Sequence, residues 1–222
     1  TPTAGHVTTE SGGTSTFTVV LATQPLQPVT INLSTGDGGE VSLSTSTLSF
    51  STSDWSTPKS VTLTGVNDDV DDGDSVFSIT LAAAVSADAT YSGLGASDVS
   101  GTNVDNDSAA FVVSPMSGLV TTEAGGSDSF TVKLATQPTS SVQVPISVSD
   151  ASEAQANKSS LTFTVGNWAH EKTVTLTGVN DDVDDTNVSF TVVVGNATSS
   201  DDAYDGLDPA DVTGLNVDDD TA

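Results

Sequence analysis

The side chains in this sequence best equipped for chemistry are carboxylates, and they fall into three groups that occur twice. Glu10 stands near the start; Asn67, Asp68, Asp69, Asp71 and Asp72 crowd around Val70; Asp105 and Asp107 flank Asn106. The same arrangement returns as Glu123, then Asn180, Asp181, Asp182, Asp184 and Asp185 around Val183, then Asp218, Asp219 and Asp220. Carboxylates brought together without a cation repel one another and hold protons more tightly, whereas a bound divalent ion reverses that preference. Calcium is the expected ion, because it takes six to eight oxygens at about 2.3 to 2.6 Å from carboxylates, Asn side chains and backbone carbonyls. Magnesium demands a tighter octahedron. Transition metals favour nitrogen or sulfur, but the sequence has no cysteine, and its two histidines, His6 and His170, are not at equivalent positions. Both are read as surface histidines.

An enzyme is not expected. A glycosidase needs two carboxyls about 5 to 10 Å apart across a cleft. No Ser, His and acid set is duplicated, and no Gly-rich loop leads from a strand into a helix. The Asp-x-Asp-x-Asp-Gly loop of an EF-hand is also missing.

The acids must be positioned by a repeated scaffold. VTLTGVNDDVDD runs from Val61 to Asp72 and again, letter for letter, from Val174 to Asp185, a shift of 113 residues. That shift also superimposes Phe17 on Phe130, Trp55 on Trp168 and Tyr91 on Tyr204, with no net insertion. Two domains follow, residues 1–107 and 108–222, each long enough to enclose a core.

Within each copy, apolar residues alternate with Ser and Thr, as in Val29, Ile31, Leu33 and Phe77, Ile79, Leu81, or Val142, Val144, Ile146 and Phe190, Val192, Val194. Period two predicts half-buried strands. About seven per copy, separated by Gly, Pro, Asp and Asn turns, predict an all-β chain of two tandem antiparallel Ig-like sandwiches arranged end to end. With the strands labelled A to G and reversing at each turn, the A–B, C–D and E–F connections and the end of G meet at one pole. The three acidic groups sit there. Asp37, Glu40, Asp150 and Glu153, between C and D, reach the same pole and are read either as surface residues or as further ligands, with neither role favoured. Ala109 to Val113 is the leading strand of the second copy; its counterpart precedes Thr1, so the chain reads as cut from a longer array.

Thirty Asp and Glu against four Lys and Arg give a net charge of −26, which repels phosphate backbones and anionic lipid. Nucleic acid and membrane insertion are therefore not expected, and no apolar run reaches the roughly 20 residues needed to span a bilayer.

The acidic pattern resembles the Calx-beta family, found in sodium/calcium exchangers, integrin beta-4 and large bacterial surface proteins. Glu10, the loop Asn67 to Asp72 and the closing Asp105-Asn106-Asp107 carry the likeness in copy one; Glu123, Asn180 to Asp185 and Asp218 to Asp220 carry it in copy two. The resemblance implies that these residues ligate Ca²⁺, with the Val70 and Val183 carbonyls contributing. Departures are Asn67, Asn180, Asn106 and Thr186, where the family carries acids. The motifs around Tyr91 and Tyr204 are similar to those of giant bacterial adhesins. The resulting expectation is a calcium-binding structural extender of an extracellular or cell-surface bacterial protein, with neighbouring repeats as its partners and Ca²⁺ stiffening their joints. The alternatives are an adhesion module gripping a cell-surface glycan or protein, and a calcium sensor.

Other features have plainer readings. Trp55 and Trp168 are expected as core plugs, and Tyr91 and Tyr204 as pins for the F–G turn. Sequons at Asn32, Asn106, Asn157, Asn187 and Asn196 arise by chance in so Ser-, Thr- and Asn-rich a chain.

Overall fold

The alternating runs become strands because each inward residue finds a facing sheet to bury against. The computed structural model describes residues 1–36 and 38–221; Asp37 and Ala222 lie outside the described residues. It divides into two compact units, Thr1–Asp68 with Asp72–Asn106, and Asp69–Asp71 with Asp107–Ala222. The described residues form strands and turns with no helix, and so no helix long and apolar enough to cross a membrane.

The first unit contains β1 (His6–Thr9), β2 (Thr14–Val19), β3 (Val29–Thr35), β4 (Val41–Leu43), β5 (Thr47–Phe50), β6 (Lys59–Gly65), β7 (Ser75–Leu81), β8 (Val85–Ser86) and β9 (Val99–Val104). One sheet runs β1-β9-β7-β3-β5, with β8 also on β3, and the other β2-β6-β4. In β3, Val29, Ile31 and Leu33 are buried while Asn32 and Ser34 face water. Phe17 and Leu63 from one sheet meet Phe50, Phe77 and Ile79 from the other in a single core. The second unit contains β10 (Phe111–Ser114), β11 (Leu119–Thr122), β12 (Ser127–Leu134), β13 (Val142–Val148), β14 (Ala154–Ala156), β15 (Ser160–Phe163), β16 (Lys172–Gly178), β17 (Val188–Val194) and β18 (Val212–Val217). Its sheets are β11-β18-β17-β13-β15 and β10-β12-β16-β14, around a core that includes Phe130, Phe163 and Tyr204.

Two details go beyond seven reversing strands. The leading segment divides between the sheets: β10 pairs antiparallel with β12, and β11 then pairs with β18. That second pairing is parallel, as is β1 with β9 in the first unit. The strand ladder is otherwise antiparallel.

His6 corrects an expectation. It is 3 % exposed, with Nδ1 2.8 Å from Ser15 Oγ, Nε2 3.3 Å from the Pro2 carbonyl and its ring edge-on to Phe17. The alternation of β1 turns this position inward, where the second unit places the buried Leu119. His170 is exposed. Trp55 and Trp168 are half-buried and pack against the margin of each core. Tyr91 and Tyr204 do pin the F–G turn: the Tyr204 hydroxyl donates to the Thr136 carbonyl at 2.9 Å and accepts from its amide at 3.1 Å, and Tyr91 treats Thr23 the same way.

Candidate metal centre at the acidic end of each unit

Parallel pairing is what brings the first acid to the last ones. In the first unit Thr9 stands opposite Val104, so Glu10 and Asp105 emerge side by side, and the Glu10 amide donates to the Val104 carbonyl at 3.0 Å. Carboxylate oxygens of Glu10, Asp105 and Asp107 lie within 4.8 Å of one another. Glu10 is only 4 % exposed. The second group forms where β4 begins: Val41 pairs with Gly65, which sets Glu40 beside the loop leaving β6, and the Val66 amide donates to the Glu40 carbonyl at 3.0 Å. Glu40 is buried and joins Asp68 and Asp72, again within 4.8 Å.

The second unit repeats this with shared members. Glu123, buried and opposite the Val217 carbonyl, gathers with Asp185 and Asp218 and also with Asp219 and Asp220. Asp185 further joins the buried Glu153 and Asp181. Burial lifts the Glu123 carboxyl above its ordinary range; the Asp219 amide pulls it down, and the charges of Asp218, Asp181 and Asp185 push it up. Asp220 is raised by burial and then by Asp219, Asp182, Asp218 and Asp181. Its Oδ2 is buried without a hydrogen-bond partner. A buried carboxylate oxygen left in this state has a use for a cation, since a charge in such a place is otherwise costly.

Other residues expected at the site take different positions. The Asn67 side-chain amide bonds the Asp68 carbonyl, and Asn180 Nδ2 donates to the Asp181 carbonyl at 2.9 Å, so both asparagines brace the start of their loops. Val183 donates its amide to Asp181 Oδ1 at 2.8 Å and exposes its side chain; Val70 occupies the same place in the duplicated loop. Asp71 accepts the Ala109 amide at 2.7 Å within the second compact unit. Asp69, Asp182 and Asp184 are exposed loop residues outside the carboxylate triplets. Asp88 and Asp201 are turn caps: Asp88 accepts the Leu26 and Thr90 amides, which hold its pKa below the usual carboxylate value, and Asp201 accepts those of Thr139 and Ala203. Asp150 accepts from both the hydroxyl and the amide of Ser152.

Glu40 and Glu153, which the sequence leaves between a surface role and ligation, are buried members of the triplets. They obey the 113-residue shift, and that signal could have singled them out. A buried asparagine behind each end also escaped sequence reasoning. Asn216 Nδ2 donates to Glu153 Oε2 at 3.3 Å and to the Val179 carbonyl at 3.2 Å, while its Oδ1 accepts from Thr121. Asn103 makes the same bonds to Glu40, Val66 and Thr8. One side chain thus ties together the three segments that deliver the acids. Gly178 must be glycine beside it, because a β-carbon there would collide with the Thr122 carbonyl and Asn216 Oδ1.

A β-sandwich duplicated in tandem, with acids from four segments gathered at one end of each copy, defines a class of repeat module. The family follows from sequence: the Calx-beta domain matches residues 3–108 and again 105–221, and the chain belongs to the Calx-beta family. Among solved structures it is similar to the calcium binding domain CBD12 of CALX1.1, at 19 % identity over 90 % of this chain and 80 % of that one, TM-score 0.40. The apo-form Calx CBD1 domain is 18 % identical over 50 % of this chain and 98 % of its own, TM-score 0.40. The periplasmic chaperone SfaE is 10 % identical over 96 % of each chain, TM-score 0.37. No curated protein matches.

Proposed function

We propose that each unit binds Ca²⁺ at its acidic end, and that the chain is a structural extender of a long extracellular bacterial surface protein, of adhesin type, in which the ions stiffen the joints between repeats. The observation that carries the metal reading is the set of overlapping carboxylate triplets around Glu123, with Asp220 Oδ2 buried and unpartnered beside them. The donors are oxygens only, from side chains on several loops, which suits the large and flexible shell of calcium better than the compact octahedron of magnesium. A net charge of −26 gives bound cations a second effect, since they relieve the self-repulsion of the folded chain.

The extender reading rests on repetition and on chain economy. The last strand of copy one ends at Val104 and the first strand of copy two begins at Phe111, and the connecting residues include the site acids Asp105 and Asp107. A ligand held partly by a connector stiffens it, and stacked units with stiff connectors project whatever they carry. Neighbouring repeats are the partners in this reading, and no catalytic step is assigned to the acids.

Small-angle scattering with calcium and with chelator tests the joint: calcium should lengthen the particle and narrow its flexibility, and identical profiles would refute the stiffening. Calorimetry tests the site. Extracellular structural modules bind at about 10⁻⁴ to 10⁻³ M; affinity near 10⁻⁶ M assigns the chain to sensing, and no heat at all removes the ion. A glycan- or protein-gripping adhesion module is the reading left if the two units bind cells on their own.

A further inference from the structure

In the larger sheet of the second unit, β11 is the strand by which the chain enters and β18 the strand by which it leaves. They run parallel over four rungs: Leu119 with Gly214, Val120 with Leu215, Thr121 with Asn216 and Thr122 with Val217. Backbone bonds extend the ladder at both ends, since the Thr213 amide donates to the Met116 carbonyl at 3.0 Å and the Glu123 amide to the Val217 carbonyl at 3.0 Å. Thr121 Oγ1 adds a side-chain bond to Asn216 Oδ1 at 2.9 Å. Leu119, Thr121 and Asn216 are buried, so on that side of the ladder water does not compete. The first unit repeats the pair. There β1 and β9 match from His6 with Gly101 to Thr9 with Val104, the Ser100 amide donates to the Thr3 carbonyl at 3.0 Å, and Thr8 Oγ1 donates to Asn103 Oδ1 at 2.9 Å.

Strand direction decides how such a pair meets tension along the chain. In a parallel pair, the N-terminal end of one strand and the C-terminal end of the other lie at opposite ends of the ladder. A pull on β11 from its N-terminal end and on β18 from its C-terminal end therefore slides the strands past each other, and the rungs resist together. In an antiparallel pair both pulled ends would lie at one pole, and the bonds would open one after another. Among the described residues the other ladders are antiparallel. Parallel pairing is thus kept, in both copies, for the two strands that tension along the chain would set against each other.

We propose that each parallel pair is a mechanical clamp, β11 with β18 in the second unit and β1 with β9 in the first, whose function is to keep the sandwich folded while the chain is pulled. This deepens the extender reading and rests on it for its purpose, because a projecting repeat transmits whatever pull its cargo feels. The mechanics of the clamp need no ion. Its last rung, Thr122 with Val217, stands directly before Glu123 and Asp218, so a cation held by both acids in the proposed reading would tie the same two strands at their common end.

The test pulls single molecules of the full chain, in chelator, from two pairs of attachment points. The sequence has no cysteine, so introduced pairs define those points uniquely. Ser117→Cys with Thr221→Cys loads the ladder in shear, and Ala124→Cys with Thr221→Cys opens it from one end; all three residues are exposed. The force needed in shear should exceed the other by roughly threefold or more, since the four rungs share the tension in the first case and meet it singly in the second. Equal forces overturn the clamp. A second arm holds the shear tension fixed and reads the unfolding rate. Thr121→Val should hasten unfolding by about fivefold, the equivalent of one buried hydrogen bond. Val194→Ala truncates the core at the end of β17 away from the acids; it should lower the melting temperature yet change the rate under tension by less than about twofold, because forced unfolding follows the barrier and not the overall stability. If Thr121→Val leaves the rate unchanged, or if both variants hasten it alike, the strand pair is not what resists and the proposal falls. With chelator present throughout, neither failure touches the calcium reading, which fails separately if the calorimetric titration gives no heat.

Discussion

The two acidic ends are built on the same strands and the same 113-residue offset, yet they are not chemically equal. Among the described residues of the first, Glu10, Asp105 and Asp107 form one triplet and Glu40, Asp68 and Asp72 another, with no member in common. In the second, Glu123 and Asp185 each serve two triplets. One substitution explains much of this. Asn106 turns its side-chain amide to Glu10 Oε2 at 3.4 Å and to Asn67 Oδ1 at 2.9 Å, so an internal donor meets some of the demand of the acids. Its equivalent Asp219 has no such donor and reaches Glu123 only through its backbone amide, at 3.4 Å. The lesson is that loop geometry is set by the scaffold, while the number of carboxylates gathered upon it is set by single amide-for-acid exchanges.

The sharpest break of that comparison is at its shared node. Asp185→Asn should abolish most of the calcium-dependent rise in melting temperature of the second unit, because it weakens two triplets at once. The equivalent Asp72→Asn, touching one triplet, should leave a clear calcium response in the first. Equal losses in calorimetric scans of the two variants would show that the triplets do not act as drawn. Next in size is the exchange that distinguishes the ends: Asn106→Asp should tighten calcium binding at the first unit by about tenfold and Asp219→Asn loosen it at the second by a similar factor, since ligand charge count tunes such sites. Calorimetric titrations that leave either constant unchanged would exclude the amide as the cause.

How much of this could be read from the chain alone follows from what each feature depends on. Strand alternation is local, so Val29, Ile31 and Leu33 announce their burial directly, and the E–F loop announces itself by composition. The sharing of Asp185 between groups depends on register and on how far a side chain reaches, and neither is encoded within a few residues. The pairing of β1 with β9 joins His6 to Gly101 across the whole copy, and no local pattern marks it as parallel. Glu40 and Glu153 stand in turns where an acid can equally face water or a ligand, and it is their position beside the loop leaving β6 or β16 that buries them. Asn103 and Asn216 sit in strands of ordinary Ser- and Thr-rich composition, and only the assembled end reveals three segments converging on each.

A smaller contrast lies in the loop backbone. Gly73 has φ 75° and donates its amide to Asp105 Oδ2 at 2.8 Å; its equivalent Thr186 holds φ 68° and makes the same bond to Asp218. Left-handed backbone is unfavourable for a β-branched residue. Thr186→Gly should therefore stabilise the second unit by about 1 kcal/mol in denaturant melts, and Gly73→Thr should cost the first unit a similar amount. If Thr186→Gly destabilises, the Thr side chain contributes a contact that outweighs its strain.

The smallest expected effect separates the units at the far side of their sequence motif, before β6. Asp54 accepts the Lys59 ammonium at 2.6 Å and the Ser51 amide at 2.6 Å, and the Lys59 bond is the chief reason its pKa falls from 3.8 to about 2. The second unit has Asn167 there, which keeps the backbone bond, from Thr164 at 2.9 Å, without the charge. A carboxyl whose folded pKa is depressed favours the fold above its unfolded pKa, and that contribution disappears as pH falls through the folded value. Asp54→Asn should thus lower the first unit's melting temperature slightly at pH 7, the pair being exposed and screened by water, and leave it unchanged near pH 2. The difference should shrink between pH 4 and pH 2 and should also shrink with added salt. A deficit that persists undiminished at pH 2 would trace the effect to packing or to the Ser51 bond, and the ion pair would cease to count as a difference between the two units.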